Sequence, residues 1–162
     1  MVELRNSEIS RNEHNEILAA IENGDGERAS KLTLQHITGA RATALADAKK
    51  AIAMFGQAKI NVPIIGLVEN MAYFTPAELP ENKYYLFGKE GGKKLADEYD
   101  LPFLGQVPLI QSIREGGDEG VPAMVGTDAI TKDAFTKVVS LAVRQIAVRN
   151  ADMPKSQTIV VE

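Results

Sequence analysis

The sequence predicts an α/β fold: a partial parallel-sheet half-domain preceded by an α-helical hairpin. Three observations carry that expectation. Residues 10–43 place apolar side chains at helical spacing on either side of one turn. The run Val62-Pro63-Ile64-Ile65-Gly66-Leu67-Val68 is apolar on both faces, as a strand covered by helices above and below must be. From Ala44 onward helical and strand patterns alternate, the pattern of a parallel sheet.

Taken in order, the hairpin opens at Ser10, which with Glu13 forms a capping box for the first helix. His14, Ile17, Leu18 and Ile21 give that helix its apolar face. Asn23-Gly24-Asp25-Gly26 breaks it, with a glycine for the left-handed cap and Asp25 as the next N-cap. Ala29, Leu32, His36, Ile37 and Ala40 line the second helix, and Gly39 is a point where it ends or runs on. A further helix holds Leu45, Ala48, Ile52 and Phe55 and closes near Gly56. A strand at 62–68 follows, then a proline-marked loop, then a helix starting near Gly91-Gly92. Pro102–Pro108 reads as a second short strand and 113–120 as a turn of helix and a loop. Residues 128–149 form the longest expected helix, with Ala134, Phe135, Val138, Val139, Leu141, Ala142 and Ile146 toward the core. The expected organisation is therefore a hairpin over 1–43, a sheet domain over 44–150, and a tail or edge strand over 151–162.

The 162 residues suffice for a real core, and 44% apolar with 25% charged residues is ordinary for a globular protein. The net charge of -4, without a Lys/Arg cluster, argues against nucleic acid as a direct partner. No apolar run approaches the length of a membrane span, and residues 1–6 lack the pattern of a signal peptide, so no membrane association and a cytoplasmic location are expected. The chain has no cysteine. Disulfides, thiolate zinc sites and cysteine-ligated clusters are thereby excluded within a single copy.

Two places carry candidate chemistry. Glu69 and Asn70 end the apolar strand, and ligands of parallel sheets bind just beyond the carboxyl ends of strands. For Asn70 the alternative is a loop amide that caps its own turn. The two histidines, His14 and His36, are equidistant from the turn at Asp25 and lie on their helices' apolar stripes. In an antiparallel pair they face each other, either as two ligands of a divalent metal or as two hydrogen-bonded imidazoles.

Glu13-His14-Asn15-Glu16-Ile17-Leu18-Ala19-Ala20-Ile21-Glu22-Asn23-Gly24-Asp25, with Ala29 and Gln35-His36-Ile37, resembles the closing helix pair of the FCD effector domain of GntR-type regulators. The resemblance implies that His14 and His36 are half of a metal site whose other Asp and His ligands sit on an earlier helix, absent here along with the DNA-binding domain. Ala44–Phe55, Gly66–Phe74, Phe87–Ala96, Pro102–Leu109 and Ile113–Asp118 resemble, in order, the C-terminal half of the Mrp/ApbC-type iron–sulfur cluster carriers, P-loop ATPases of the MinD/ParA class. That resemblance implies a P-loop NTPase-like, Rossmann-like half-domain in which Asn70 reads the adenine edge of ATP and Val107, Pro108 and Leu109 flank the base. An amide suits that edge because it donates and accepts at once.

The phosphate-reading part is missing. The only Gly-Lys pairs are Gly88-Lys89 and Gly92-Lys93, with Lys83 and Phe87 where a P-loop needs its first glycine, and neither lysine precedes Ser or Thr. No apolar strand ends in a magnesium-binding Asp, so hydrolysis lacks the electrostatics that carry phosphoryl transfer. Where many such carriers place a Cys-x-x-Cys, this chain reads Thr75-Pro76-Ala77-Glu78. The two resemblances together imply a junction near residues 40–44, and a half-sheet whose open edges favour pairing with itself or with another assembly protein.

Overall fold

The structure, a computed structural model, describes residues 2–76 and 78–152. They form two compact units, divided between Ala48 and Lys49.

The first unit is the helical hairpin. Helix α1 spans Val2–Glu22, and α2, Gly26–Phe55, runs out of the unit without interruption. The turn forms as its residues dictate. Gly24 takes a left-handed φ of 69°, and the Asp25 carboxylate accepts the Arg28 amide at 3.0 Å, closing the first turn of α2. One expectation is corrected here. Ser10 lies inside α1 and caps nothing, because helical backbone continues on its N-terminal side. Of the two outcomes open at Gly39, α2 takes the continuous one. One glycine costs a helix only about 1 kcal/mol, and α2 has 30 residues to offset it. Thr33, Thr38 and Thr43 stay helical by folding their hydroxyls onto the carbonyls of Ala29, Leu34 and Gly39. The apolar face is narrower than the pattern suggested. Ala20 is buried and Ile17 half-buried, but Leu18 and Ile21 are exposed, since two helices share a single line of contact.

The second unit holds a two-stranded parallel sheet, β1 (Leu67–Glu69) and β2 (Phe103–Gln106), with α3 (Gly91–Glu98), α4 (Gln111–Glu119) and α5 (Ala129–Asp152) around it. Strand β1 is shorter than the run 62–68. The ladder begins only where the Leu67 amide donates to Pro102 O at 2.8 Å; upstream, Pro63 has no amide to offer and Val62 is half-exposed. Leu95, Ala96, Leu104, Val107 and Ala134 form the core with Ala72 and Tyr73. Gly66 makes this packing possible. A Cβ there would lie 2.6 Å from Leu104 Cγ and 2.7 Å from Pro102 O.

Helix α5 is held at its start by Asp128, whose carboxylate accepts the amides of Ile130 (3.3 Å) and Thr131 (3.0 Å) and the Thr131 hydroxyl. Burial pushes that carboxyl up, but the Thr131 hydroxyl and the two amides outweigh it and leave the pKa below the ordinary aspartate value. The core side of α5 differs from the expected one. Ala134 is buried and Phe135, Val138 and Ala142 are half-buried, while Val139, Leu141 and Ile146 are exposed. Apolar residues surround this helix, so periodicity alone could not choose its face. With 24 residues it is also shorter than α2, contrary to expectation. Helix α4 is a full nine residues rather than a single turn. The edge strand expected at 158–161 lies outside the described residues, and no helix among those described is long and apolar enough to cross a membrane.

Candidate functional site

The carboxyl ends of β1 and β2 meet at one residue, Val107. Its amide donates to Glu69 O at 2.9 Å, and its carbonyl accepts the Ala72 amide at 3.0 Å. In a regular parallel ladder those two partners are two positions apart; here they are three apart, so a residue is extruded. The extruded elbow is Asn70-Met71. Met71 takes the left-handed φ of 53° that the bulge requires, and Asn70 is exposed. Beyond the elbow the Leu109 amide donates to Tyr73 O at 2.7 Å, and Phe74 bridges Leu109 and Tyr84.

Asn70, Pro108 and Leu109 lie at the same end of two adjacent strands. They differ in availability. Pro108 is buried and Leu109 half-buried. The Asn70 Oδ1 accepts the Met71 amide at 3.0 Å, so the side chain caps its own turn, and its Nδ2 has no partner among the described residues. An adenine edge would find the donor free and one lone pair of the acceptor already used. Cavities of about 600 and 510 Å³ open elsewhere in the unit, and none of the three residues lines them.

Glu69 faces inward. Its Oε1 accepts the Gly92 amide at 3.1 Å and its Oε2 accepts Gln106 Nε2 at 2.8 Å. Sequence reasoning placed Glu69 beside a ligand; the structure gives both of its oxygens to the protein. At the glycine-rich start of α3, the Gly92 amide is therefore taken by the chain's own carboxylate. The glycine itself was a readable signal. A Cβ on residue 92 would stand 2.7 Å from Glu69 Cβ, so only glycine lets α3 approach β1 this closely.

In the hairpin unit, His14 and His36 do face each other. Their Nε2 atoms are 3.0 Å apart, the rings meet edge to face at 4.4 Å, and His36 Nδ1 lies 2.7 Å from Glu13 Oε2. Glu13, expected in a capping box, instead orients His36. It bonds the nitrogen remote from His14, and among the described residues no cluster of three or more His, Cys, Asp or Glu side chains is arranged to hold a metal ion.

Comparison with known proteins identifies a family. A family model described as ParA, NUBPL iron-transfer P-loop NTPase matches residues 29–144. An iron–sulfur cluster carrier protein of Synechocystis is 42% identical over 111 residues, 68% of this chain and 30% of the relative. An Arabidopsis iron–sulfur protein required for mitochondrial NADH dehydrogenase is 49% identical over 84 residues, 52% of this chain and 26% of the relative. The mouse iron–sulfur cluster transfer protein NUBPL is 42% identical over 106 residues, 64% of this chain and 32% of its own length. The chain spans about a third of each of these relatives or less.

These matches give no support to the effector-domain resemblance of residues 5–42. The family match begins at residue 29, within α2, and crosses the junction expected at 40–44, where the helix is continuous. A helix that crosses the supposed boundary unbroken, and a family model that claims most of the sequence, lead to one assignment: the chain belongs to the ParA-group, NUBPL-type P-loop NTPases.

Proposed function

We propose that this chain is the base-reading portion of an ATP-binding iron–sulfur cluster carrier or assembly protein, and that it does not hydrolyse ATP by itself. One observation carries the reading. The Val107 bulge displays Asn70 next to Val107-Pro108-Leu109, at the strand ends where a parallel sheet presents a ligand. Family membership and the names of the relatives support it. ATP fits this chain in part. Asn70 offers a free amide donor, but at the one glycine-rich helix start resembling a phosphate loop the Gly92 amide is taken by Glu69. No step of phosphoryl transfer is assigned to these residues. A cluster, as cargo, would find no thiolate ligand among these 162 residues. The proposed setting is the cytoplasm, and the proposed partners are a second copy or another assembly protein.

Isothermal titration with ATP tests the reading. Binding that weakens about tenfold or more in Asn70→Ala supports it, that being the loss of one or two hydrogen bonds to a base. Wild-type and variant curves that coincide would sink it. A magnesium-dependent ATP turnover by the isolated chain would overturn the second half of the proposal.

A second reading rests on the hairpin. The 3.0 Å separation of the two histidine Nε2 atoms suits adjacent ligands of one divalent metal, and Glu13 on His36 Nδ1 matches the carboxylate that commonly orients a ligating imidazole. Titration with zinc or nickel, and its loss in His14→Ala, tests this reading. Silence toward both ATP and metals would leave the chain an interaction module.

A further inference from the structure

We propose that Glu69 is a positioning residue: it caps α3 from a neighbouring strand and through that clamp fixes the outward-facing Asn70-Met71 elbow. The inference rests on the nucleotide reading only for its affinity readout. Helix α3 has no side-chain N-cap of its own. Its N-cap residue, Glu90, sits at a left-handed φ of 58° and makes no side-chain cap hydrogen bond. The bond an N-cap would make to the second helical amide is made by Glu69 Oε1, which accepts from Gly92 at 3.1 Å. A carboxylate at a helix start is also favoured by the helix dipole. Its second oxygen holds Gln106, the last residue of β2, at 2.8 Å. One partly buried side chain therefore joins three elements, and Gly92 allows the approach because a Cβ would meet Glu69 Cβ at 2.7 Å.

The elbow begins at the very next residue. It holds its shape through one local bond, Asn70 Oδ1 with the Met71 amide, and through Val107 on either side. Nothing else among the described bonds fixes where Asn70 stands. If Glu69 is released, the bulge loses its anchored end and the Asn70 amide loses its direction.

A charge exchange tests this. Gln106→Glu sets a second carboxylate where the Gln106 amide now lies 2.8 Å from the first, and at pH 7.5 two ionised groups so close repel. The double variant Glu69→Gln/Gln106→Glu restores one donor and one acceptor with the roles reversed. Backbone ¹⁵N order parameters at Asn70 and Met71 read the elbow without ligand, and titration with ATP reads its consequence. Expected for Gln106→Glu are order parameters falling from about 0.85 to below about 0.6 and ATP affinity about tenfold lower. The double variant returns both toward wild type. Glu69→Ala, which removes the clamp without adding repulsion, loosens the same residues and serves if Gln106→Glu does not fold.

A rigid elbow in Gln106→Glu and Glu69→Ala, or a double variant as impaired as the single one, would overturn the assignment. Rigid and loosened elbows that bind ATP equally well would overturn it too. Loosening and rescue of the elbow in a wild-type background that binds no ATP would instead remove the nucleotide reading and leave the clamp standing.

Discussion

Two short hydrogen-bond chains occupy this molecule, and they do opposite work. In the hairpin, Glu13, His36 and His14 bond to one another through side chains alone, with the Glu13 side chain 48% exposed. In the sheet unit, Gln106 and Glu69 end on a backbone amide, that of Gly92, inside a packed junction. Water can replace every bond of the first chain at little cost. The second is half-buried, and breaking its bond to Gly92 also removes a tie between α3 and β1. The difference teaches where polar residues act as structure and where they remain available for chemistry: Glu69 is spent, whereas the imidazoles and Asn70 Nδ2 are not.

The largest expected effect tests the rigidity of the sheet unit. Gly66→Ala forces a methyl against Leu104 and the Pro102 carbonyl, and should cost about 3 kcal/mol in urea unfolding. A loss below about 1 kcal/mol would show the junction to be soft. Next, Asp128→Ala removes the cap of α5 and should cost about 1–2 kcal/mol near neutral pH. Because the folded pKa of Asp128 lies below its ordinary value, that contribution is complete above the ordinary value and disappears as pH falls through the lowered one. The gap between wild type and variant should therefore hold steady down to about pH 5 and close below about pH 4; thermal melts across that range check it.

The hairpin should respond in the other direction. Gly39→Ala meets nothing within 4 Å and should stabilise α2 by about 0.5–1 kcal/mol, measured as a rise in melting temperature. A destabilised variant would mean that residue 39 has a contact role. The smallest effect is His14→Ala, within about 0.5 kcal/mol, as for other exposed substitutions. A loss of several times that size would place the histidine chain among the structural bonds and erase the contrast.

Much of this was readable before the structure. The Gly24-Asp25 turn, the facing histidines, the two parallel strands and the helix start at Gly91-Gly92 all follow from local chemistry that has few alternatives. The misreadings have separate causes. Ser10 is weak punctuation, worth about 1 kcal/mol, and a long helix overrides such a mark. Val139, Leu141 and Ile146 were assigned inward because α5 carries apolar residues all round, and which of them are covered depends on the width of the sheet beneath. Glu69 was placed at a ligand because strand ends favour ligands; that its partner is an amide 23 residues later is a tertiary fact.

The strand end from Glu69 to Phe74, with one extra residue at the elbow and a second beyond it, has a consequence for length variation. Between the pairs Glu69–Gln106 and Phe74–Leu109, one strand advances five residues (74 − 69) while its neighbour advances three (109 − 106), a surplus of two. A pleat counts in twos, so an even surplus leaves the side chains beyond it on their proper faces. Losing a single residue between 70 and 73 would break that parity and turn Phe74 to the opposite side of the sheet. Losing two would straighten the ladder and keep every downstream face. Tolerance to insertion and deletion at this strand end should therefore alternate with odd and even, and homologous chains should differ here by pairs of residues.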